Sequence, residues 1–96
     1  MVARMAAAGV ERVMGITDII LSPNPATDKL YISSQQFVSG HYRISISNAF
    51  GQVVKEYGTT QQQVQYIDVA HLANGMYFLT VSSGGTSVYR GKFVKQ

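Results

Sequence analysis

Ninety-six residues with 46% hydrophobic and 14% charged side chains describe one small folded domain, neither two domains nor a disordered chain. The formal charge of +3 comes from eight basic and five acidic residues; only Arg90, Lys92 and Lys95 cluster, a weaker footprint than nucleic-acid binding needs, so no nucleic-acid partner is expected. Cysteine is absent, which excludes disulfides, thiolate metal sites and a cysteine nucleophile but leaves the compartment open.

Residues 1–15 stand apart from the rest. Met5–Ala8 is alanine-rich, and Val10, Val13 and Met14 fall at helical spacing. The uncharged run between Arg4 and Glu11 is six residues, short of the roughly 7–15 apolar residues of a signal-peptide core. The segment is also too short and too charged to span a membrane. We expect a linker remnant or a vector-derived start over 1–15, the folded domain over 16–96, and any export signal elsewhere in a longer precursor.

From Ile16 onward the chain reads as short strands. "ITDIIL" is the first. "LSPNPATDKLYI" follows and holds both prolines, Pro23 and Pro25, around Asn24. Each ring fixes its own φ and removes a ladder donor, and each biases the preceding residue away from helix. The expectation is a stiff extended link that leaves one sheet and enters the other. Alternation restarts at Leu30, Tyr31 and Ile32. "HYRISISN" sets Tyr42, Ile44 and Ile46 against Arg43, Ser45 and Ser47. A turn over Asn48–Gly51 leads into "GQVVKEY". The polar run "TTQQQVQY" reads as a solvated loop. "QYIDVAHL" places Ile67 and Val69 on one face. "LANGMY" sets Leu72, Gly75 and Tyr77 at the spacing of a tyrosine corner, with Leu79 where antibody domains carry a cysteine. "GMYFLTVSS" turns Tyr77, Leu79 and Val81 inward, "SSGG" is a turn, and "TSVYRGKFVK" closes the chain.

About seven short strands with polar turns between them predict an all-β fold, an immunoglobulin-like antiparallel β-sandwich. A barrel of similar strands is the alternative. No helical period is seen in this part.

Catalytic chemistry finds few supports. His41 and His71 sit in turn-like polar contexts and read as surface residues. Glu11, Asp18, Asp28, Glu56 and Asp68 form no close pair, and a glycosidase needs two carboxylates across a cleft. HExxH, GxSxG and calcium-loop patterns are absent. The glycines of "SGGTS" and "ANGMY" lack the helix that phosphate binding needs. The domain reads as non-catalytic, with no metal or cofactor.

The ordered features are "LSPNPATDKLYI", "YRISISNAFGQVV", "IDVAHLANGMYFLTV" and "GKFVKQ" at the chain end. In this order they resemble the type A C-terminal sorting domain of the type IX secretion system (the Por secretion system family), from about Ile20 to Gln96. The family's proline-asparagine-proline pattern matches Pro23, Asn24 and Pro25, and the strand after it matches Leu30, Tyr31 and Ile32. Its N-x-x-G-Q turn matches Asn48, Gly51 and Gln52. Its L-x-x-G-x-Y matches Leu72, Gly75 and Tyr77, and its basic-aliphatic last strand matches Lys92, Phe93, Val94 and Lys95. Gln96 departs from the basic or aliphatic ending of many members, and residues 1–15 match nothing in the pattern.

The resemblance implies an address rather than an enzyme. It implies a cargo domain N-terminal in the precursor, transit through the periplasm of a Gram-negative cell, and passage through the outer-membrane translocon. It also implies removal by a sortase-like peptidase, with the cut in or near residues 1–20, and a mature cargo released or held at the cell surface on an anionic lipopolysaccharide.

The residues themselves suggest where the machinery reads the domain. As an edge strand, the last segment would offer backbone groups to an added strand and its lysines charge complementarity. Recognition is therefore expected at Arg90, Lys92, Phe93, Val94, Lys95 and Gln96, with the prolines in the scaffold. The rival reading is an immunoglobulin-like carbohydrate- or protein-binding module, with Tyr31, Tyr57 and Phe78 as an aromatic patch; a structural spacer is a third. Exposed edges also offer a route to a homodimer.

Overall fold

The alternation becomes seven antiparallel strands in a computed structural model that describes residues 16–96; the expectations for 1–15 lie outside the described residues. Strands β1 (Ile20–Ser22), β2 (Lys29–Ser33) and β5 (Val64–Asp68) form one sheet in the order β1-β2-β5. Strands β3 (Arg43–Ser47), β4 (Val53–Gly58), β6 (Gly75–Ser83) and β7 (Thr86–Lys95) form the other, in the order β4-β3-β6-β7. Both sheets are open, so the fold is the expected sandwich and not a barrel.

Each strand buries one alternate set of side chains. Leu30, Ile32 and Ile67 from the first sheet meet Ile44, Ile46, Leu79, Val81 and Phe93 from the second. Leu79 is fully buried and fills, with aliphatic bulk, the place a disulfide occupies in antibody domains.

The chain crosses between sheets at β2–β3, β4–β5 and β5–β6. The first crossing contains a 3₁₀ helix, Gln35–Val38, that no periodicity announced because it is a single turn. Ser34 Oγ caps it by accepting the Gln36 N–H at 3.1 Å, and Phe37 plugs the core beneath. Asp18 reaches across to accept the Ser34 hydroxyl at 2.7 Å and the Gln35 N–H at 3.0 Å. The Ser34 hydroxyl, and then the Gln35 N–H, hold the Asp18 carboxyl below its usual range. In the second crossing only residues 59–63 of the polar run form the expected loop; Val64–Tyr66 already belong to β5, and the loop is pinned by Gln65, which is buried rather than solvated. Its Oε1 accepts from the Thr60 N–H and hydroxyl, and its Nε2 donates to the carbonyls of Thr60 and Gln62. The third crossing carries the tyrosine corner.

One expectation is corrected. The proline segment does not lead from one sheet to the other, because β1 and β2 pair with each other (Leu21 opposite Ile32). Residues 23–28 bend rather than extend, with cis peptide bonds at Ser22–Pro23 and Asn24–Pro25. The first strand is also shorter than "ITDIIL". Its leading residues lie beside β7 instead, where the Ile16 N–H donates to the Val88 carbonyl at 2.9 Å.

Candidate functional site

The alternation of β7 decides what its end can do. Phe93 points inward, is 1% exposed and stacks on Tyr77 with ring centroids 5.7 Å apart. Lys95 also points inward and is 6% exposed, its Nζ donating to the Leu72 carbonyl at 3.1 Å. Arg90, Lys92 and Val94 point outward and are exposed, as is Gln96. The expectation that all six tail residues meet a receptor is therefore corrected for two of them. Phe93 and Lys95 are committed to the interior, because a strand sends successive side chains to opposite faces.

The outward residues meet others from β6. The register sets Phe78 opposite Lys92, Met76 opposite Val94 and Thr80 opposite Arg90. The Arg90 guanidinium lies over the Phe78 ring, 4.9 Å from its centroid. Phe78, Arg90, Gly91 and Lys92 line a shallow depression, with Met76 at 45% and Val94 at 37% exposure beside it. Among the described residues the salt bridge present is Arg43–Glu56, so neither Arg90 nor Lys92 is neutralised by a carboxylate there. The result is a cationic strip on an apolar floor, suited to an acidic partner surface with apolar contacts.

The free edge of β7 is less open than the sequence suggested. Asn24 Oδ1 accepts the Val94 N–H at 3.0 Å. The Ala26 N–H donates to the Val94 carbonyl, and the Gln96 N–H to the Ala26 carbonyl, both at 2.8 Å. Asn24–Ala26 thus covers the end of the edge strand, and a receptor cannot add a strand over residues 94–96 without displacing it. Pro23 and Pro25 are exposed and flank this clasp. On the other flank, the Tyr77 hydroxyl donates to the Ala73 carbonyl at 2.7 Å, which is the tyrosine corner. Gly75 has φ +153°, where a side chain would be strained, and Leu72 is half-buried against the core. Leu72 and Ala73 therefore offer successive carbonyls to Lys95 and Tyr77.

The Asn48–Gln52 turn is a separate unit at the same end of the second sheet. Asn48 Oδ1 accepts the N–H groups of Phe50 (2.9 Å) and Gln52 (3.0 Å), and Gly51 has φ +87°. Of the residues matched in the sequence pattern, Asn24, Leu72, Tyr77, Phe93, Val94 and Lys95 converge on the end of β7.

The aromatic patch expected of a sugar-binding module is not assembled. Tyr31 lies on the outer face of the first sheet, paired with Tyr66 at 6.1 Å, and Phe78 lies on the outer face of the second. Tyr57 is half-buried with its hydroxyl 3.4 Å from the Asp68 carbonyl, and burial, then the Asp68 charge, push its pKa up. Sequence reasoning missed Met76 and Ala26, and it placed Phe78 in the wrong company. The signal for Met76 and Phe78 was present, since they alternate with the inward Tyr77 and Leu79. His41 and His71 are exposed, and among the described residues no group of three or more His, Asp or Glu could hold a metal ion.

A family model described as the secretion system C-terminal sorting domain matches residues 21–96. No curated protein matches the chain.

Proposed function

This chain belongs to the family of secretion system C-terminal sorting domains, and from that premise we propose that it directs a cargo through the outer-membrane translocon of the type IX system by presenting the strip around Phe78, Arg90, Lys92 and Val94. As a type IX sorting signal it is the tail of a cargo protein bound for the cell surface or beyond. The work is done by a folded surface and not by catalysis. A sortase-like peptidase then separates cargo from domain on the N-terminal side of the sandwich.

The observation that carries the choice of surface is Arg90 held over Phe78, with Lys92 alongside and no carboxylate of the described residues beside either. Cations already desolvated on one side by an aromatic floor lose less water on docking, so an acidic partner gains more from them. Like-charge replacement should therefore be severe at the strip and mild for folding. The test fuses residues 1–96 behind a signal peptide and a reporter in a host with the type IX machinery. The double variant R90E/K92E is expected to keep the parent's melting temperature within a few degrees. Its released reporter should fall roughly tenfold or more, because opposed charges at an interface cost several kcal/mol. Undiminished release from the folded double variant rejects this surface.

A further inference from the structure

Phe50 is the most exposed large hydrophobic side chain among the described residues, at 90%. The turn that carries it is held by an unusually complete set of bonds. Asn48 donates its backbone N–H to the Gln52 carbonyl (2.9 Å) and accepts the Gly51 N–H on its own carbonyl (3.0 Å). Its side chain accepts the Phe50 and Gln52 N–H groups and donates Nδ2–H to Gln52 Oε1 at 3.0 Å. Gly51, at φ +87°, completes a shape that other residues adopt only under strain. None of these bonds uses the Phe50 side chain. A turn of equal rigidity could carry a serine there, so the benzyl group has no part in holding the fold.

Two further observations say what such a group fits. Val53 and Val54 follow on β4 at 55% and 40% exposure, and β4 is an edge strand of its sheet. From Asn48 to Val54 the sequence "NAFGQVV" carries no charge. An uncharged apolar knob has no charge of its own to offer an anionic lipid headgroup. It is well matched to an uncharged pocket on a protein, where one rigid aromatic anchor carries much of a docking energy. The register also sets Ser47 opposite Phe78, and Met76 opposite Val94. The turn therefore leaves the sheet at the end where the cationic strip begins.

We propose that Phe50 is a preformed anchor that inserts into an uncharged apolar pocket of the protein that receives this domain during export. This inference rests on the sorting role and adds a second, apolar point of contact to the strip.

The experiment uses the full chain fused as above, in parent, Phe50→Ser and Phe50→Leu forms. Phe50→Ser should melt within a few degrees of the parent, because the side chain it removes touches little. Its released reporter should fall roughly tenfold. Phe50→Leu should restore most of the release, since a pocket for an apolar side chain tolerates a smaller one. A parent that stays in the periplasm overturns the sorting role and this inference with it. A parent that is released, with Phe50→Ser released equally, overturns this inference alone. The anchor is likewise overturned if sedimentation shows a dimer that Phe50→Ser dissociates, or vesicle binding that it abolishes, while release is unchanged.

Discussion

Tyr77 shows how one side chain can serve both its own sheet and the crossing that leads into it. Its ring is stacked on Phe93 and its hydroxyl ties the Ala73 carbonyl. The two contributions separate on substitution. Tyr77→Phe keeps the ring and deletes one neutral hydrogen bond, worth about 0.5–1.5 kcal/mol net. Ala73 is exposed, so water can satisfy the abandoned carbonyl, which favours the lower half of that range. In a domain of this size about 1 kcal/mol lowers the melting temperature by roughly 4–8 °C. Thermal unfolding of Tyr77→Phe should therefore show a loss of several degrees with the transition still cooperative. A melting temperature equal to the parent's would mean the corner bond adds nothing beyond what water supplies. The corner itself was legible in "LANGMY", because its spacing is local. Lys95 was not: a lysine near a chain end reads as solvated, and only the tertiary position of Leu72 gives its ammonium a carbonyl to meet.

At the scale of the element, β7 is both a structural member and a display. Its inward set, Tyr89, Phe93 and Lys95, closes the sandwich, while Arg90, Lys92 and Val94 face the solvent. Period-2 alternation made this division readable in principle. The reading of the tail as a linear signal obscured it, because a sorting motif written in one line puts both faces together. The same duality changes what a truncation can report. Removing Lys92–Gln96 takes away the Phe93 ring, for which large-to-small core changes cost about 3–5 kcal/mol. It also removes the bonds to Asn24, Ala26 and Leu72. A domain of this length has only about 5–15 kcal/mol in total. The truncated chain should thus lose most of its cooperative thermal transition and near-native circular dichroism. Its failure to be exported would then speak to folding and not to recognition. A truncated domain that melted as sharply and nearly as high as the parent would show that β7's end is dispensable to the fold, and would restore the tail as a removable signal.

Across the whole molecule, the marks that are farthest apart in sequence lie closest in space. Asn24 and Val94 are 70 residues apart and share a hydrogen bond, and Ala26 bridges Lys95 in parallel. The fold class was legible because alternation, turns and the corner are local signals. The clasp was hidden because pairing between the two ends of a chain leaves no trace in either segment alone. The prolines looked like a link between sheets, although the strands they join pair with each other; that the segment between them meets β7, far along the sequence, was equally hidden. The clasp has a kinetic consequence. The last residues of a domain usually fray, and their amides exchange almost freely. Here the Val94 and Gln96 amides are bonded to Asn24 and Ala26, so they should be protected well above an unstructured end in hydrogen-exchange measurements. Asn24→Ala leaves Val94 without its acceptor at an exposed site and should cost about 1 kcal/mol locally. Val94 exchange should then quicken roughly fivefold or more, Gln96 should follow, and the Leu79 amide in the interior of β6 should change by less. Val94 and Gln96 amides that exchange in the parent at the rate of a free chain end would show that the clasp is not held in solution, and that β7 offers its whole edge to whatever receives the domain.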